Sequence, residues 1–104
     1  MKQFEIYLVN LDPELGSEIK KSRPAVIISP DAMNKMLNTV IIAPLTSTQK
    51  GYPSRVVSNL GSKKGEIVLD QLRAVDKVRL AKKLGTADST TAQNIKLVLQ
   101  TMFS

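Results

Sequence analysis

The chain has 104 residues, 42% hydrophobic and 23% charged, a composition of folded proteins and a length that leaves room for a single domain over residues 1–104. Its 15 basic and 9 acidic residues give a formal charge of +6, which favours an anionic partner such as nucleic acid. Cysteine and histidine are both absent, which excludes disulfides, thiol nucleophiles, zinc hydrolase sites and nucleases built on paired histidines.

From Phe4 to Asn10, Phe4, Ile6 and Leu8 alternate with Glu5, Tyr7 and Val9 before the break at Asp12-Pro13, predicting a first strand. Glu14 to Ser22 reads as a long polar loop. The β-branched run from Pro24 to Ser29 predicts a second, well-buried strand that begins at a proline, a position where the missing N–H is tolerated. Asp31 to Lys35 predicts one helical turn with Asp31 as its N-cap, and Thr39 to Pro44 a third strand lying hairpin-like beside the second. A loop dense in Thr, Ser, Gly and Pro from Thr46 to Pro53 precedes a strand over Arg55 to Ser58, a turn at Gly61 to Gly65, and a strand over Glu66 to Asp70. Ala92, Ile95, Leu99 and Met102 recur at helical spacing after Asp88-Ser89, either of which caps the helix. Five or more short strands and one terminal helix predict a mainly β fold, a small curved antiparallel sheet or open barrel with the helix packed on it. No apolar run approaches the roughly 18 residues that span a bilayer, and the opening MKQFEIYLVN is unlike a secretory signal, so no membrane partner and a cytoplasmic location are expected.

Charge is unevenly spread: residues 1–49 are neutral overall, and residues 50–104, with ten basic and four acidic side chains, hold the whole excess. The dense stretch Lys77-Val-Arg79-Leu-Ala-Lys82-Lys83 is either a phosphate-facing strip or a solvated face. Aromatic residues are only 4% of the chain, which argues against a stacking platform for single strands.

Three junctions carry chemistry. Lys20-Lys21-Ser22-Arg23-Pro24 places a guanidinium where a polar loop enters a buried strand, a setting that fixes its orientation toward a phosphate. Pro44-Leu45-Thr46-Ser47-Thr48 follows the third strand with hydroxyls able to bond phosphate oxygens, and Leu69-Asp70-Gln71 ends a strand with a carboxylate and an amide. Taken alone, each is more often a turn or cap residue, and Arg23 is also compatible with a structural ion pair to Glu18 or Asp70. A curled sheet would bring all three to one concave face.

The order Ile6-Tyr-Leu-Val-Asn-Leu-Asp12-Pro13, Gly16-Ser-Glu18, Arg23-Pro-Ala-Val-Ile-Ile-Ser29-Pro30, Pro44-Leu-Thr46-Ser47, Gly51-Tyr-Pro53 and Asp70-Gln-Leu-Arg73-Ala-Val-Asp76 resembles the MazF/PemK (Kid-like) toxin endoribonucleases over nearly the whole chain. That resemblance implies an SH3-like open barrel of the CcdB/MazF type. It also implies a homodimer, a single-stranded mRNA substrate, no metal or other cofactor, and inhibition by a cognate MazE-like antitoxin. Carried over, it makes Arg23, Thr46 and Asp70 the catalytic candidates and Glu18, Lys21, Ser47 and Gln71 the RNA-binding ones. The implied reaction is attack of the ribose 2′-hydroxyl on the adjacent phosphate, giving a 2′,3′-cyclic phosphate and a 5′-hydroxyl, with Asp70 as the candidate base. Two departures stand out: Gln3-Phe4-Glu5 replaces the family's Arg-Gly-Asp/Glu opening, and Val68 stands where some members have an arginine. The alternatives are an inactive relative, a nucleic-acid-binding barrel that does not cleave, and a CcdB-like gyrase poison. The last is disfavoured by the absence of the C-terminal Trp-Gly-Ile that it needs.

Overall fold

The computed structural model describes residues 1–11, 22–60 and 63–104. Within them the order is β1 (Glu5–Asn10), β2 (Ser22–Ile27), α1 (Asp31–Met36), β3 (Thr39–Thr46), β4 (Arg55–Leu60), β5 (Lys63–Val68), β6 (Arg73–Asp76), β7 (Leu80–Thr86) and α2 (Ser89–Met102). Short 3-10 turns at Leu69–Gln71 and Lys77–Arg79 flank β6. The strands pair antiparallel in the order β4-β5-β3-β2-β1-β7, with β6 also on β3.

β2 shows why its sequence is continuously apolar rather than alternating. Ala25 and Ile27 pack on one side of the sheet with Val9, Val40, Ile42 and Val75, whereas Val26 and Ile28 pack on the other with Ile6, Ala43, Val56, Ile67, Leu69 and Ile95. A strand covered on both faces has no polar side to alternate with. α2 covers the second cluster through Ile95, with Val98, Leu99 and Met102 beside it, and each fully buried side chain of this size contributes about 1.5–3 kcal/mol. Its N-cap is Asp88, whose carboxylate accepts the Thr91 N–H at 2.8 Å.

β3 is the branching strand. Thr39 to Ile42 pair with β6, then Leu45 and Thr46 pair with β5, and on the opposite edge Ile42 to Pro44 pair with β2. Passing from one partner to the next, β3 joins the curled sheet into the expected mainly β open barrel with its terminal helix. At Thr46 the backbones are so close that a Cβ on Gly65 would stand 2.5 Å from the Thr46 carbonyl oxygen.

Several boundaries move. β3 runs on to Thr46, and β5 begins at Lys63, inside the predicted turn, ending before Asp70, which sits in a 3-10 turn rather than in a strand. Pro30, not Asp31, occupies the N-cap position of α1, and the Asp31 carboxylate instead accepts the Gln3 N–H at 2.7 Å. β6 and β7 were not predicted: β6 has only four residues, and β7 is an almost wholly exposed edge strand, so neither shows an alternating pattern. The replaced opening is also informative. Phe4 adopts φ +70°, a conformation natural to glycine, with its N–H donated to the Ile27 carbonyl and its carbonyl accepting from Ala87.

Candidate active site

The β2–β3 ladder pairs Ile27 with Ile42, Val26 with Ala43 and Ala25 with Pro44. Continued by two residues, the same register brings Arg23 level with Thr46. On its other edge Thr46 pairs with Glu66 of β5. Arg23 and Thr46, 23 positions apart in sequence, thus meet because two strands with buried centres are locked in one register.

They open onto a cavity of about 420 Å³ lined by Arg23, Pro24, Leu45, Thr46, Ser47, Ser58, Leu60, Lys63, Lys64 and Gly65. This size falls among ordinary ligand sites, roughly 300–1,000 Å³. Among the described residues its lining offers three cations (Arg23, Lys63, Lys64), three hydroxyls (Thr46, Ser47, Ser58) and no carboxylate. Arg23 is exposed and makes no ion pair among the described residues, so its charge is available to a ligand. The Thr46 Oγ1 accepts the Thr48 N–H at 3.2 Å, which fixes the hydroxyl oxygen and leaves its proton to donate elsewhere.

A charged cluster on β4 and β5 holds the loop that leaves this cavity. Buried Glu66 accepts the N–H groups of Lys50 and Gly51 at 3.0 and 2.9 Å, and Arg55 Nη1 lies 3.4 Å from its Oε1. The two backbone N–H groups, with Arg55 adding to them, hold the Glu66 carboxyl below the usual carboxylate range. Arg55 Nε also donates to Asp70 Oδ1 at 3.2 Å, and its guanidinium lies 5.1 Å from the centre of the Tyr52 ring. Asp70 further accepts the Ser54 hydroxyl at 2.8 Å, and this bond, helped by Arg55, lowers its pKa.

The structure therefore brings together Arg23, Thr46 and Ser47 and sets Asp70 apart, since Asp70 is engaged with Ser54 and Arg55 and does not line the cavity. Gln71 is exposed on the same 3-10 turn, also outside the lining. Glu18 and Lys21 lie outside the described residues. The structural pairing of Arg23 with Asp70 is not formed; Arg55 takes that place, from a position directly opposite Val68 in the β4–β5 register.

The basic stretch 77–83 is absent from the cavity lining. Lys77 Nζ donates to the Asn34 carbonyl, Arg79 to that of Asn10, and Lys83 pairs with Glu5 at 2.7 Å. The cations that sequence reading passed over are Lys63 and Lys64, hidden in a predicted turn. The sequence pattern marks Glu66 only as a strand residue. Its signal was a carboxylate between Gly65 and the apolar residues Ile67 and Val68, a place where a charge needs partners.

Residues 2–103 match the family described as PemK-like, MazF-like toxin of type II toxin-antitoxin system. The chain is 34% identical over 93 residues to the endoribonuclease toxin MazF of Escherichia coli K12, covering 88% of this chain and 84% of that relative. With the endoribonuclease MazF of Staphylococcus saprophyticus it shares 38% identity over 90 residues, 81% of this chain and 75% of the relative. A chain of the MazE-MazF crystal structure from Deinococcus radiodurans superposes with a TM-score of 0.81 at 25% identity, covering 100% of this chain and 95% of that one. The chain belongs to the MazF-like toxins of type II toxin–antitoxin systems. It is an endoribonuclease toxin.

Proposed function

We propose that the cavity between β2, β3 and the β4–β5 hairpin cleaves single-stranded mRNA by intramolecular transesterification. The observation that carries this reading is a lining that, among the described residues, has three cations, three hydroxyls and no carboxylate, with Arg23 and Thr46 both on it. A phosphodiester held there faces positive charge on several sides. The 2′-oxygen attacks phosphorus as the bond from phosphorus to the 5′-oxygen breaks. The 2′-hydroxyl proton goes to water and the departing 5′-oxygen takes one from water. The products are a 2′,3′-cyclic phosphate and a 5′-hydroxyl. Arg23 stabilises the charge that builds on the equatorial oxygens, and Thr46 and Ser47 hold the phosphate in line. The nucleophile belongs to the substrate, so the scheme draws on no metal or organic cofactor.

Asp70 is assigned a different role from that of base. Its lowered pKa makes it a weak proton acceptor, and it fixes Arg55 and Ser54. The RNA-binding roles of Glu18, Lys21 and Gln71 rest on the resemblance alone. The whole of residues 1–104 acts as one domain, paired as a homodimer in the cytoplasm and held inactive by a MazE-like antitoxin. The D. radiodurans MazE-MazF structure supports the antitoxin pairing, and no described helix is long and apolar enough to cross a membrane.

The test is incubation, in EDTA, with a mixed-sequence RNA and its 2′-deoxy counterpart. RNA alone is expected to be cut, at a recurring short sequence, leaving 5′-hydroxyl ends. A folded Arg23→Ala protein is expected to lose at least about a hundredfold in rate. Cleavage of the deoxy strand, or full activity of that variant, would refute the assignment, and a monomer by sedimentation at micromolar concentration would refute the dimer.

A further inference from the structure

Glu66 is the one charged side chain that is buried among the described residues, and the cleavage scheme does not use it. Burying a carboxylate is costly unless its oxygens find donors. The donors here come from a single stretch of chain: Lys50 N–H and Arg55 Nη1 on Oε1, and Gly51 N–H on Oε2. Successive amides converge on one anion because Gly51 has φ +67°, the left-handed turn that forms an anion-holding concavity. In this chain the concavity is filled from within.

The place of that contact matters. Glu66 stands directly across β3–β5 from Thr46, and Thr46 lines the cavity together with Arg23, so the buried carboxylate is the cross-strand partner of a cavity residue. The loop leaves the cavity at Ser47, supplies the Thr48 N–H that holds Thr46 Oγ1, and is next fixed at Lys50 and Gly51. A loop released at Lys50 and Gly51 would no longer present the Thr48 amide in a set position.

We propose that Glu66 is a positioning residue for the RNA site. By clamping the amides of Lys50 and Gly51 it fixes the 47–51 segment, and through Thr48 it sets where the Thr46 hydroxyl meets the scissile phosphate. This assignment rests on the cleavage site proposed at Arg23 and Thr46. Misplacing a group that orients substrate slows chemistry more than it weakens binding.

The experiment compares wild type, Glu66→Gln, Gly51→Ala and the double variant on the same single-stranded RNA, with circular dichroism for folding and amide hydrogen exchange at Lys50 and Gly51. A glutamine keeps the shape but leaves one N–H facing its amide nitrogen. An alanine at 51 meets no atom within 4 Å, so it acts only through the left-handed backbone. Both single variants are expected to lose the exchange protection and to lower kcat about tenfold with KM changed less than twofold, and the double variant is expected to be no slower than the slower single. Wild-type kcat in a folded variant that has lost protection, or additive effects in the double variant, would overturn the proposal. Should Glu66→Gln fail to fold, the Gly51→Ala comparison decides by the same criterion. An inactive wild type would instead overturn the cleavage reading, while the exchange data would still report whether Glu66 holds the loop.

Discussion

Phe4 carries a bulky side chain at φ +70°, where only glycine is free of strain, and its ring packs against the main core with the Lys96 ammonium 5.6 Å from its centre. Two opposed terms are therefore built into one residue: backbone strain of about 1–2 kcal/mol and the partial burial of the ring, worth up to about 1.5 kcal/mol. Removing the ring but keeping a Cβ forfeits the second without relieving the first. Phe4→Gly is therefore expected to be more stable than Phe4→Ala by about 1 kcal/mol in urea unfolding, the reverse of the usual order, and equal or inverted stabilities would refute the strain. Glu66 supplies a pH dependence at the same scale. Its folded pKa is depressed by the Lys50 and Gly51 amides and by Arg55, so its contribution is fully present above the ordinary carboxylate range and is lost as pH falls through that range and below it. Wild type is expected to lose stability on acidification more steeply than Glu66→Gln; parallel curves would show that the clamp contributes nothing.

Among the elements, β3 and β5 approach closely at Thr46 and Gly65. Gly65 is required there because any Cβ would press on the Thr46 carbonyl at 2.5 Å, a backbone atom that has no alternative rotamer. Gly65→Ala is expected to cost about 1–3 kcal/mol and to abolish cleavage by displacing Thr46, measured as a lower urea midpoint alongside a lost rate; a variant of unchanged midpoint would show that the strands can part. Legibility in the sequence followed the same physics. β1, β2 and β3 are readable because most of their residues are covered, and α2 because its covered residues, among them Ala92, Ile95, Leu99 and Met102, recur at helical spacing. β6 and β7 were not, since a four-residue strand and an exposed edge strand bury too little to leave a period. Arg23, Thr46 and Ser47 were legible as residue types at strand ends. The exclusion of Asp70 and the entry of Lys63, Lys64 and Ser58 depend on the strand register and the curl of the sheet, which no local pattern encodes.

At the scale of the whole molecule, the formal charge of +6 gains direction from the fold. Much of the basic stretch 77–83 is tied to carbonyls and to Glu5, and the cavity draws on Arg23, Lys63 and Lys64 instead. RNA binding is expected to weaken with salt, and Lys63→Ala to make the log–log slope shallower by roughly 0.7, the release expected for one single-strand phosphate contact. An unchanged slope would remove Lys63 from the interface.

The branching of β3 has a mechanical consequence. One wall of the cleft, Arg23 and Pro24, rides on a strand whose following residues are packed on both sides. The opposite wall, Ser58, Leu60, Lys63, Lys64 and Gly65, rides on a hairpin that pairs with β3 at Leu45 and Thr46 and sinks Val56 and Ile67 into the same cluster as Val26 and Ile28. Both jaws are therefore footed in one core. Widening the cleft would pull on that shared packing, so its gap is set by the contacts that hold the fold.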